Sequence, residues 1–150
     1  MPRASHSIEI DVPCSVVFDT VHDYARRLDW DRMLSQATLL AGATAAGIGV
    51  RSLCVGTWRS AFLPMETEYV SFERARVAAV KLTNHPALFA TFAATIRHAA
   101  VSETRSRTTY IYSFRARPRF LAPLLEPIMR NLLDSEVRGR LRALRDFLER

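Results

Sequence analysis

Along residues 5–12 the chain alternates, with His6, Ile8, Ile10 and Val12 on one side and Ser7, Glu9 and Asp11 on the other. A period of two over this length predicts a half-buried strand. Pro13 ends the ladder and suits the first turn of a helix. Residues 13–24 then place Val17, Phe18, Val21 and Tyr24 on one helical stripe. Residues 25–33 predict a second short helix with Leu28, Trp30 and Met33 turned inward. Strand-like segments follow in a row: 36–41, 49–60, 66–74, 76–83, 89–101 and 106–117. A small-residue loop over 42–47 precedes the second, and Arg74, Ala75 and Arg76 form a hairpin turn between the third and fourth. In 49–60, Val50, Cys54 and Trp58 share a face opposite Arg51 and Arg59. Composition alone allows helix or strand over 89–101. Strand is preferred because Phe92, Ile96 and His98 oppose Thr95 and Arg97. In 106–117, Thr108, Tyr110, Tyr112 and Phe114 form one face.

The chain closes on a helical pattern. After Pro118, Pro123 and Pro127, apolar residues recur at helical spacing: Leu124, Leu125, Ile128, Met129, Leu132, Leu133, Val137, Leu141, Leu144 and Leu148. Arg130, Asp134, Arg138, Arg142 and Arg145 take the opposite side, with Asp134–Arg138 and Arg142–Asp146 spaced as ion pairs. Gly139 costs this helix about 1 kcal/mol relative to alanine. A helix of about 25 residues with so broad an apolar stripe needs a large surface to lie against. Strand, two short helices, about six antiparallel strands and one long helix make an α+β domain, with one sheet wrapped on one helix.

Composition narrows the function classes. At 150 residues the chain suits a single domain over 1–150, and 49% apolar content excludes wholesale disorder. No run approaches the roughly 18 apolar residues of a membrane span, and the N-terminus lacks a signal-peptide core. The expected location is therefore the cytoplasm, with no stable membrane insertion. The net charge of +6 invites a nucleic-acid reading. However, every basic residue except Lys81 is arginine and the arginines are spread along the chain, so no nucleic-acid partner is expected. Cys14 and Cys54 form no CxxC, and no His/Cys cluster or HExxH occurs, so neither a metal nor another cofactor is expected. The glycines of 42–49 lack the Lys-Ser/Thr of a phosphate loop, and no GxSxG is present.

The Pro-started helix after the first strand (IEIDVPCSVVFDTVHDY), the tryptophan in LDWDRM, the antiparallel run and the C-terminal amphipathic helix resemble the START/Bet v 1-like (SRPBCC) superfamily. Within it the likeness is to polyketide cyclase/dehydrase-type proteins, carried by Pro13, Phe18, Asp23 and Trp30 over nearly the whole chain. The resemblance implies a helix-grip fold: a curved seven-stranded antiparallel sheet around the long helix, with a cavity between them for apolar small molecules.

Candidate cavity residues follow from the inward faces: Trp30, Trp58, Phe92, Ile96, His98, Tyr110, Tyr112, Phe114, Met129 and Leu133. The ladder Tyr110, Tyr112 and Phe114 reads as well as core packing as it does as pocket wall, and Trp30, Trp58 and His98 read first as core or rim residues. His98, Glu68 and Tyr110 are the candidates for acid/base chemistry, His98 because the unperturbed imidazole changes charge near neutrality. Glu68 qualifies only if its face of 66–74 points inward, and the opposite parity puts Tyr69 inward and Glu66 and Glu68 in water. Three functions are open. The first is a carrier or sensor of a small hydrophobic, lipid-like or polyketide-like ligand. The second is a polyketide aromatase/cyclase or dehydratase using the same cavity, and the third an interaction module using the arginine-rich helix face.

Overall fold

The structure, a computed structural model, describes residues 3–57 and 64–150. In chain order these form β1 (Arg3–Ile10), α1 (Cys14–Val21), α2 (Arg27–Trp30), β2 (Leu34–Leu39), β3 (Arg51–Gly56), β4 (Met65–Glu73), β5 (Val77–Leu82), β6 (Phe89–Ala100), β7 (Ser106–Ala116) and α3 (Ala122–Leu148). The seven strands among the described residues make one antiparallel sheet of order β1-β7-β6-β5-β4-β3-β2. Helix α3 lies against β1 and β7 and touches α2. This is the α+β order that the alternation and the long apolar stripe predict, in the helix-grip form that the family resemblance implies.

Alternation decides which residues face α3. Across β1, β7 and β6, Ala4 pairs with Tyr112, His6 with Tyr110 and Ile8 with Thr108, and Phe92 pairs with Phe114, Ala94 with Tyr112 and Ile96 with Tyr110. The inner face continues through Ala78 and Val80. In β4 a bulge between Tyr69 and Ser71 breaks the period, so Tyr69 pairs with Val80 and Phe72 with Ala78. Both aromatic rings thus join one cluster with Phe18 and Ala78, while Val70 turns to solvent. The parity of 66–74 is therefore the one that leaves Glu66 and Glu68 off the inner face. Glu68 instead pairs across the sheet with Arg51 and Lys81.

Some elements are shorter than the sequence pattern predicts. Residues 25–33 split into a 3-10 turn, Tyr24–Arg26, and the single turn of α2. Here Arg27 and Trp30 are buried and Leu28 is exposed, because the segment is bent to bring Arg27 inward. The ion pair expected at Asp134–Arg138 gives way to others. Asp134 accepts from His6 Nε2 at 2.8 Å and from the Tyr112 hydroxyl and lies near Arg130. Leu124 and Ile128, predicted in the inward stripe of α3, are largely solvent-exposed; the buried part of that helix is Met129, Val137, Leu141 and Leu144. Trp58 lies outside the described residues.

Candidate functional site

Sheet and helix do not close on each other everywhere. A cavity of about 260 Å3 lies between α3 and the inner face of β3–β7, just under the roughly 300–1,000 Å3 usual for small-molecule sites. One end is apolar. Phe89 and Phe92 of β6 meet Leu125, Ile128, Met129, Leu132 and Leu133 of α3 there, and Val80 and Ala94 floor the middle. Phe92 is held edge-on by Phe89, with ring centroids 5.9 Å apart, and stacks on Tyr112 at 6.3 Å. These are geometries that aromatic pairs favour.

The other end is polar, built where the turn after α1 meets the C-terminal half of α3. His22, Tyr24, Arg27, Thr67, Tyr69, Tyr110, Glu136 and Arg140 all line it. Its anchor is Asp31, only 1% exposed. Asp31 Oδ2 accepts from Arg27 Nε at 2.9 Å and from Arg140 Nε at 2.8 Å, and Oδ1 accepts from the Met33 amide at 3.0 Å. Burial alone would raise the Asp31 carboxyl, but the Arg140 and Arg27 guanidiniums outweigh it and hold it below its usual range. Burial works against the charge of both arginines as well, and Asp31 keeps them above their ordinary values. Arg27 Nη1 also donates to the Val21 carbonyl at 3.1 Å, and its guanidinium stacks over Trp30 at 5.0 Å. The remaining guanidinium nitrogens, Nη2 of Arg27 and both Nη atoms of Arg140, make no hydrogen bond to a described residue. They are donors in the wall of the cavity.

A hydroxyl chain runs along the sheet side of this end. His22 Nδ1 and the Tyr69 hydroxyl are hydrogen-bonded at 2.7 Å, Tyr69 and Tyr24 at 3.2 Å, Tyr24 donates to Ser52 at 3.3 Å, and Ser52 and Thr67 meet at 3.1 Å. Burial lowers the His22 imidazole to about 3, with Arg27 adding to the effect, so it is neutral. Burial raises the Tyr69 and Tyr110 phenols and the Cys54 thiol, all of which stay protonated at neutral pH. Among the described residues no group of three His, Cys, Asp or Glu side chains could hold a metal ion.

Of the residues singled out from sequence, Phe92, Ile96, Tyr110, Met129 and Leu133 stand in the cavity wall. The others stand elsewhere, each for a packing reason. His98 shares the inner face with Ile96, but α1 covers it: its ring lies 5.4 Å from Phe18 and its Nδ1 is bonded to Thr108 Oγ1 at 3.3 Å. Tyr112 and Phe114 lie under α3 in the main core, the Tyr112 hydroxyl tied to Asp134. Trp30 packs with Ile10, Val17, Val21 and Leu144 behind the polar end. Glu68 is on the far side of the sheet from the cavity. The pattern reading missed Arg27, Asp31 and Arg140, although a signal for them existed. Arg140 is spaced with Val137 and Leu144 on the inward stripe, and Arg27 and Asp31 are four apart in the segment that holds Trp30.

The model of the family described as polyketide cyclase / dehydrase and lipid transport matches residues 1–149. The chain belongs to this family. Solved structures share the family fold at low identity. The Zhui aromatase/cyclase from a Streptomyces superposes with a TM-score of 0.81 at 14% identity, covering 99% of this chain and 94% of that one. A START superfamily protein from Mycobacterium smegmatis gives 0.76 at 10% identity, over 98% and 97%. BexL, a di-domain ARO/CYC of the BE-7585A biosynthetic pathway, gives 0.75 at 18% identity. This chain is covered to 99% in that match but spans only 47% of BexL. No curated protein matches the sequence.

Proposed function

We propose that the cavity binds a small, mostly apolar molecule whose polar end carries oxygen acceptors, and that the protein acts as its carrier or sensor. The observation that carries this reading is the division of one cavity into an aromatic and aliphatic end and an end lined by the Arg27 and Arg140 guanidiniums and the Tyr24, Tyr69 and Tyr110 hydroxyls. Guanidinium and hydroxyl donors in a mostly apolar wall suit a ligand that brings an oxygen acceptor to that end. Phe92, Ile96, Met129 and Leu133 would hold the apolar body, and the Tyr110 hydroxyl, which bonds no described residue, would add a second polar contact. The family description, which includes lipid transport, supports the same reading.

An aromatase/cyclase or dehydratase in the same cavity is the second reading, favoured by the guanidiniums. Placed at a carbonyl oxygen, Arg27 and Arg140 would stabilise the enolate left when a neighbouring carbon loses a proton. The weak point is the base. A general base works best with a pKa near the working pH, and His22, the imidazole in the wall, is held near 3. That mismatch ranks binding above turnover.

Native mass spectrometry of the gently desalted protein, purified from its own host, tests both. A bound molecule of this amphiphilic type is the expected result, and its conversion on incubation would move the second reading ahead of the first. A bare protein mass, with no thermal shift across fatty acids and aromatic polyketides, would overturn both.

A further inference from the structure

We propose that the N-terminal end of α3, with the 3-10 turn Arg119–Leu121 before it, is a docking surface for an anionic lipid bilayer. Phe120 is 81% exposed, Leu124 67% and Ile128 63%. They recur four apart, with Leu121 exposed beside them. Scattered exposed leucines are ordinary, but a contiguous aromatic and aliphatic patch marks a contact surface.

Two features select the partner. The patch is short: beyond Ile128 the outward positions of α3 become Asn131, Ser135, Arg138 and Arg142. A partner helix packing along α3 would need the apolar seam to continue, whereas a lipid interface needs only a tip that enters it. The charge around the tip is positive. Arg119 stands in the tip's own 3-10 turn with Arg117 just before it, Arg130 follows on α3 and shares its charge with Asp134, and Glu126 is held by a hydrogen bond from the Ala116 amide at 3.0 Å. Arg117 Nη2 donates to the His85 and Pro86 carbonyls, which carry no net charge to offset its own. An apolar tip with arginines beside it fits an anionic headgroup layer over an apolar interior.

The same two turns supply Leu125, Ile128 and Met129 to the cavity wall. Docking would therefore set the apolar end of the cavity against the lipid phase and give an apolar ligand a route that avoids water. That purpose rests on the proposed ligand reading, but the docking itself is measured without any ligand.

The test is co-sedimentation with phosphatidylcholine vesicles containing a third phosphatidylglycerol, beside pure phosphatidylcholine. We expect binding to the anionic vesicles that weakens at about 0.5 M salt and falls about tenfold or more in Phe120→Ser/Leu124→Ser. Arg138→Ala/Arg142→Ala should leave binding unchanged, and Arg119→Glu, which alters no apolar residue, should weaken it. Thermal melts verify that the variants fold. Failure of the wild type to bind anionic vesicles would overturn the proposal. So would loss of binding in the Arg138/Arg142 variant with retention in the Phe120/Leu124 variant, since that pattern means charge adsorption through the other face.

Discussion

His22 and His98 bury two imidazoles, both against the Phe18 ring, whose Nε2 atoms meet no hydrogen-bond partner among the described residues. Burial lowers His22 to about 3 and His98 to about 4, from 6.5. The unfolded chain takes up these protons as the pH drops below about 6.5, while the folded chain refuses them until about 4 and about 3. Stability from this source is therefore complete above 6.5 and lost as the pH falls through that window, by up to roughly 1.4 kcal/mol per pH unit for each imidazole. Asp31 and Asp134, held below 3.8, act in the same sense but lower down. Urea midpoints measured between pH 7 and pH 4.5 should decline throughout, and His98→Leu should reduce the slope by about half. A flat profile in the wild type would mean that the imidazoles are not held neutral.

Helix α3 shows where elements depart from intrinsic preference. Gly139 sits mid-helix, and a Cβ there would meet Met33 Cε and Sδ at 3.3 Å. The thioether end is flexible and yields at small cost, while alanine recovers helix propensity. Gly139→Ala should thus stabilise the protein by roughly 0.5–1 kcal/mol, read as a raised denaturation midpoint; a lowered midpoint would show Met33 to be immobile. Elements also set how much was legible in the sequence. Strand β7 was legible because Thr108, Tyr110, Tyr112 and Phe114 alternate without interruption, and the extent of α3 followed from its apolar period. The β4 bulge was not legible, because nothing local to Val70 distinguishes a skipped residue from a paired one; the neighbouring register with β5 creates it. The same limit applies to Leu124 and Ile128. A period gives a stripe, but not how far the sheet extends beneath it. Arg140 was legible in position and overlooked in kind, because an arginine on an inward stripe makes sense only with Asp31, which is distant in sequence and adjacent in space.

For the whole molecule, the cavity is the space left where a curved sheet and one long helix part. Ala94, buried at the floor between Phe92 and Ile96, controls that space with a single methyl group. Ala94→Leu should fill part of it, abolish small-molecule binding and leave stability unchanged or raised by about 1 kcal/mol. The paired measurements are ligand retention by native mass spectrometry and a thermal melt. Retained ligand in a folded Ala94→Leu protein would place the bound molecule elsewhere.

The pairing of β1 with β7 has a kinetic meaning. Arg3 meets Ser113 and Ile10 meets Ser106, so five other strands are made before β1 finds β7, its one neighbour among the described strands. Contacts this distant in sequence place folding in the slow, millisecond-to-second regime, and a growing chain carries β1 unpaired for most of its synthesis. During that wait Ile8 and Ile10 are apolar and uncovered, but Ser5, Ser7 and Glu9 interleave them with polar groups, which is how an open strand edge resists pairing with a stranger. The alternation that orients β1 in the finished sheet also protects it before the sheet exists.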